Sequence, residues 1–128
     1  MPSMEIASFK FETSAPADTI EAYYAFSDRY QLVSAKVIDE AGIAQSPTAY
    51  RNFFIQLADG SATVMKYATQ TAQQGALAAG VAGSFIFDDQ SKSIFEAGAG
   101  IKIRSTASGA GKDCKCTIVM KFEKARKY

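Results

Sequence analysis

The sequence predicts an α+β fold: an antiparallel β-sheet built from hairpins, with two α-helices packed on one face. Three observations carry that expectation. Several runs alternate apolar and polar residues with a period of two, two other stretches break that alternation, and turn-forming pairs punctuate the chain. At 128 residues, 48% of them hydrophobic and 21% charged, the chain lies in the globular range and is expected to form one domain spanning residues 1–128.

Met4 to Glu12 opens the chain as a half-buried strand, with Ala7, Phe9 and Phe11 on one face and Ser8, Lys10 and Glu12 on the other. Ser14 then stands as a helix cap, Pro16 suits a first turn and Asp18 complements the positive helix end. At helical spacing Ala17, Ile20, Tyr23, Tyr24, Ser27 and Tyr30 share a side, so the first helix is placed here with its tyrosines against a sheet. Leu32 to Ile38 alternates again as a strand, with Val33, Ala35 and Val37 inward and Ser34 and Lys36 outward, and Asp39-Glu40-Ala41-Gly42 ends it.

Between Tyr50 and Ala68 two β-rich runs flank Asp59-Gly60, the signature of a tight hairpin whose central residues need positive φ. Thr69 to Gly83 is rich in alanine and is assigned to the second helix, although each interior glycine costs about 1 kcal/mol relative to alanine. Gly75, Ala79 and Gly83 leave one side of it bare, which suits close packing on the sheet. The stretch falls short of the roughly 20 residues that span a bilayer, so no membrane span is expected. Phe85 to Phe87 and Ser93 to Glu96 are expected to pair around the polar turn between them.

Ile101 to Tyr128 dominates the electrostatics. It holds eight basic residues against two acidic, whereas residues 1–100 hold six basic against eleven acidic, so the net charge of +1 conceals a polarised chain. Ile101 and Ile103 oppose Lys102 and Arg104; further on, Cys114, Cys116, Ile118, Met120 and Phe122 oppose Lys115, Thr117, Val119, Lys121 and Glu123. Paired as a hairpin, these runs would gather Lys102, Arg104, Lys115 and Lys121 into one solvent-facing patch, extended by Lys124, Arg126 and Lys127.

The chain has no histidine, which removes Ser-His-Asp triads, Cys-His dyads and His-based zinc sites within one chain. Its two cysteines stand in register with apolar residues and are expected to be reduced and buried, with no metal and no cofactor. Ser108 to Asp113 lacks the first glycine and the Ser/Thr of a phosphate-binding loop, and Gly98-x-Gly100 lacks the third glycine of a dinucleotide fingerprint. The N-terminus shows no secretory pattern, so a cytoplasmic location is expected.

These features favour a non-enzymatic structural or assembly protein docking through a basic C-terminal β-hairpin onto an acidic protein surface, of another protein or of another copy. The alternative is a nucleic-acid-binding sheet, which has the right charge but needs aromatic residues interleaved with it. A small-ligand binder or enzyme with a helix-sheet pocket near Tyr23, Tyr24 and Arg51 ranks third.

Overall fold

A computed structural model describes residues 4–125. Ten strands follow one another: β1 (Met4–Glu12), β2 (Ile20–Ala25), β3 (Tyr30–Asp39), β4 (Tyr50–Leu57), β5 (Thr63–Ala68), β6 (Gly83–Ser84), β7 (Ile86–Phe87), β8 (Ile94–Phe95), β9 (Gly100–Ser108) and β10 (Lys115–Lys124). One 3-10 turn at Gln90–Lys92 is the sole helical element among the described residues, which overturns the expected α+β class with its two helices.

Both helix assignments failed for local reasons. Residues Ile20 to Ala25 satisfy a period of two as well as 3.6. The strand period prevails, with Ile20, Ala22 and Tyr24 turned to the core and Glu21 and Tyr23 to solvent. Ser14 does not cap anything: its backbone N–H and that of Ala15 both donate to Asp18 Oδ2 at 2.9 Å, closing a loop. In the alanine-rich stretch Gly75 and Gly80 adopt φ of +83° and +68°, left-handed conformations that no right-handed helix contains. The segment instead crosses the sandwich as turns. A side chain at Gly83 would meet the Tyr67 ring at 2.8 Å, so the close packing expected there does occur, without a helix.

The strands form two antiparallel sheets. The front sheet runs β1-β10-β3-β6, with β8 also pairing β3; the back sheet runs β2-β9-β4-β5-β7. The pairing is nested, β1 with β10, β2 with β9 and β3 with β8, as though one long ribbon had been rolled up. That order is the double-sheet jelly roll, which limits exposed edges by wrapping first and last strands together. The β4–β5 hairpin forms where Asp59-Gly60 placed it, with Gly60 at φ +77° and its N–H donating to the Leu57 carbonyl at 2.8 Å.

Two expected pairings do not form. β7 joins β5 while β6 and β8 join β3, so the runs at 85–87 and 93–96 lie in different sheets. More consequentially, β9 and β10 do not make a hairpin: β9 lies between β2 and β4 in the back sheet, and β10 between β1 and β3 in the front one. Antiparallel neighbours need only complementary edges, and here those edges come from the other end of the chain.

The inner faces meet in a core whose two ends differ. At one end Tyr24 stacks on Phe122 at 5.8 Å and Phe26 on Phe95 at 4.9 Å. At the other, the fully buried Arg51 of β4 replaces hydrocarbon with a guanidinium. Its Nε donates to the Lys112 carbonyl at 3.0 Å, Nη1 to the Asp18 carbonyl at 2.6 Å and to Ser105 Oγ at 3.3 Å, and Nη2 to the Pro16 carbonyl at 2.5 Å. Pro16 and Asp18 belong to the β1–β2 connection and Lys112 to the β9–β10 connection. Arg51 therefore ties together two of the links that carry the chain between sheets.

Candidate functional site

The split between β9 and β10 places the expected basic residues on opposite sides of the molecule. Lys102 and Arg104 project from the back sheet, Lys115 and Lys121 from the front; Arg126 and Lys127 lie outside the described residues. Glu21, directly across from Arg104, holds both back-sheet cations at 3.5 Å. Lys102 Nζ also stands 5.8 Å from the centre of the Tyr23 ring. Lys115 reaches Glu40 at 3.3 Å, whose hydrogen bond holds its pKa above the ordinary lysine value. Lys124 reaches Asp28 at 2.9 Å. Of the predicted residues within 4–125, only Lys121 makes no ion pair among the described residues.

Lys121 has company that strand order creates. Across the outer front face the rows read Ile6–Lys121–Ser34, then Ser8–Val119–Lys36, then Lys10–Thr117–Ile38. Lys36 is the diagonal neighbour of Lys121, about 7–8 Å away by sheet geometry. Lys10, Lys36 and Lys121 are all exposed, and none has an acidic partner among the described residues. Uncharged residues lie between and beside them, including Ile6 at 68% exposure and Val33, which strict alternation places inward, at 39%. The acids Glu12, Glu40 and Glu123 stand only at the ends of this face. Beside Lys10 a cleft of about 230 Å³, lined by Glu12, Ile38, Glu40, Lys115 and Thr117, gives the surface relief.

Alternation makes Lys10 and Lys36 outward residues of their strands, yet nothing in the sequence brings them to the same face as Lys121. That required β10 to lie between β1 and β3. The back face is built differently: Tyr23, Phe54 and Tyr50 share it with Asn52, Gln56, Lys66, Lys102 and Arg104. The aromatic residues thus occupy the face whose cations are paired, and the front face with free cations carries none among the described residues.

Beneath the surface, Cys114 and Cys116 are free and buried, as their periodicity indicated. A hydrogen bond between the thiols lowers the pKa of Cys114 and, with burial, raises that of Cys116, so Cys114 is the more acidic thiol. The buried carboxylate of Asp39 is occupied by backbone, accepting from Lys115 N–H at 2.8 Å and Ala41 N–H at 3.2 Å. No group of three or more His, Cys, Asp or Glu residues suited to a metal occurs among the described residues. The pocket expected between helix and sheet has no helix to form it; Tyr24 is packed in the core and the Arg51 donors are spent on loop carbonyls.

Fold and surface together define a small jelly-roll sandwich with one cationic face, without aromatic residues among those described, and one charge-balanced, aromatic face. No protein-family model and no curated protein matches the chain. Among solved structures it is similar to that of the infectious bursal disease virus Gx strain, with 15% identity and a TM-score of 0.44, over 96% of this chain and 32% of that one. It is similar likewise to the infectious bursal disease virus VP2 subviral particle, with 13% identity and a TM-score of 0.44, over 96% of this chain and 33% of that one. The chain spans about a third of the length of those chains. Among the described residues no helix is long and apolar enough to cross a membrane.

Proposed function

We propose that this is a non-enzymatic assembly protein of the cytoplasm that docks through the outer face of its front sheet onto an acidic protein surface. The observation that carries the reading is the cluster of Lys10, Lys36 and Lys121, three exposed cations with no acidic partner among the described residues. Holding like charges together on a sheet is unfavourable in isolation, and an acidic partner relieves it while the aliphatic residues between them lose water. Jelly rolls serve in capsid shells and in lectins alike, so the surface and not the fold selects between functions.

A different protein is a better partner than a second copy. The chain's own acids are largely committed: Glu21, Asp28, Glu40, Asp88 and Glu96 in ion pairs, and Asp18, Asp39, Asp59 and Asp89 in hydrogen bonds to backbone N–H groups. Nucleic acid fits less well, because no stacking residue stands among the free cations in the described residues. The free thiols of Cys114 and Cys116 suit a reducing compartment.

Fluorescence anisotropy with labelled poly-glutamate tests the docking face. Binding at low salt should weaken steeply as salt rises, and the Lys10→Glu/Lys36→Glu/Lys121→Glu variant should lose it. Equal binding by the variant would remove this face from consideration. Light scattering run alongside would show salt-sensitive self-association if the partner is instead a second copy.

A further inference from the structure

We propose that the outer face of the back sheet, on the opposite side of the sandwich from the lysine cluster, binds a neutral pyranose sugar. The site is a cleft of about 130 Å³ whose lining includes Tyr50, Asn52, Phe54, Lys66, Gln70 and Gln73. Alternation along β4 puts Tyr50, Asn52 and Phe54 on one face, so the two aromatic side chains stand at either side of an amide. Lys66 arrives from β5, and the connection after β5 brings Gln70 and Gln73 over the cleft.

Asn52 is oriented by its other bonds. Its Nδ2 donates to Ser108 Oγ at 2.9 Å and to Thr106 Oγ1 at 3.4 Å, both on β9. Because β9 and β5 flank β4 on opposite sides, that commitment turns the Asn52 carbonyl oxygen toward β5, where the cleft lies. Gln70 likewise spends its Nε2 on the Pro47 carbonyl at 3.4 Å, which leaves its oxygen as an acceptor. The Gln73 amide and the Tyr50 hydroxyl make no hydrogen bond among the described residues and complete a mixed set of donors and acceptors.

Charge and spacing select the ligand class. Lys66 is neutralised by Asp88 at 3.1 Å, so the cleft has no net charge with which to hold a phosphate or carboxylate. Four residues of strand separate Tyr50 from Phe54 by about 14 Å at their backbones. A nucleobase clamped between two rings needs about 7 Å, two van der Waals contacts. The wider gap suits a ring that rests one C–H face on a single aromatic side chain and offers its edge hydroxyls to Asn52, Gln70 and Gln73.

Amide NMR titration with the methyl glycosides of glucose, galactose and N-acetylglucosamine tests the assignment, with adenosine monophosphate as the competing chemistry. At least one glycoside should give saturable shifts at residues 50–54 and 66–73 and at the side-chain amides of Asn52 and Gln73. Gln73→Ala, which removes no internal hydrogen bond, and Tyr50→Ala should each weaken that binding, and Asn52→Ala by about tenfold or more. The three variants should keep wild-type dispersion elsewhere. Absence of saturable shifts with all three sugars, shifts confined to other surfaces, unchanged affinity in Gln73→Ala and Tyr50→Ala, or tighter binding of the nucleotide would each overturn the proposal.

Discussion

The two outer faces of this sandwich are made from the same alternating pattern and reach opposite electrostatic outcomes. On the back face each cation meets an acid: Arg104 stands directly across from Glu21, Lys102 shares that carboxylate, and Lys66 meets Asp88. On the front face Lys121 stands between Ile6 and Ser34, and Lys36 beside Val119, so their cross-strand neighbours supply no charge. The local wealth of lysine and arginine near the C-terminus is shared by both faces. What differs is the neighbour across the ladder, and that is set by which distant strand each segment joins.

The two outer faces exist only while the sheets stay back to back, and Arg51 is the residue whose loss should most severely break that packing. Replacing it with methionine strands the carbonyls of Pro16, Asp18 and Lys112 without donors and releases the β1–β2 and β9–β10 connections, two of those that pass between sheets. We expect a loss of about 3–5 kcal/mol in urea unfolding, the range seen when a buried charge network loses a member. Arg51→Lys should recover little, since one ammonium cannot reproduce a planar fork that spans three carbonyls. A change below about 1 kcal/mol for Arg51→Met would mean that packing alone holds the sheets together.

Arg51 also marks where sequence reasoning stops. Alternation located β1 with both its ends, most of β3, and β4 and β5 with the turn at Gly60, because a strand's faces are written in its own residues. Pairing is not. β9 and β10 are consecutive and both basic, so a hairpin was the economical reading, yet their partners β2 and β1 lie near the other end of the chain. Ile20 to Ala25 satisfies two periods at once, and Thr69 to Gly83 looks helical by composition while Gly75 and Gly80 serve as left-handed turn residues. Thus the outwardness of Lys10, Lys36 and Lys121 could be read residue by residue, and their proximity could not. Arg51 reads as polar in a β-rich run, and no local pattern announces that loop carbonyls will surround it.

Glu21 offers a way to convert one face toward the other. Glu21→Gln keeps the side-chain shape and frees Lys102 and Arg104 together, leaving the back face with unpaired cations as the front face has. Stability should change by less than about 1 kcal/mol, because these pairs are partly exposed and screened. The informative readout is poly-glutamate binding in the triple front-face variant, where adding Glu21→Gln should restore measurable, salt-sensitive affinity. If it does not, unpaired charge alone is insufficient, and the aliphatic surroundings of the front lysines contribute to docking.

The smallest effect concerns a pair that belongs to neither central face. Lys124 ends β10 and bonds Asp28 in the β2–β3 connection, and this hydrogen bond is the main cause that lowers the Asp28 pKa and raises that of Lys124. A depressed carboxylate contributes stability that is fully present above its unfolded value of 3.8 and is lost as the pH falls through its lower folded value. For Lys124 the contribution is present below 10.5 and is lost as the pH rises through the raised folded value. Asp28→Asn should therefore lower the melting temperature slightly at neutral pH, and the gap should close in acid once the wild-type carboxylate is protonated. The front lysines, which have no such partner among the described residues, should show no matching acid-sensitive step when Lys10, Lys36 or Lys121 is replaced by glutamine. A gap for Asp28→Asn that persists unchanged into strong acid would assign its effect to packing instead of charge, and would remove the contrast between paired and unpaired cations at this edge.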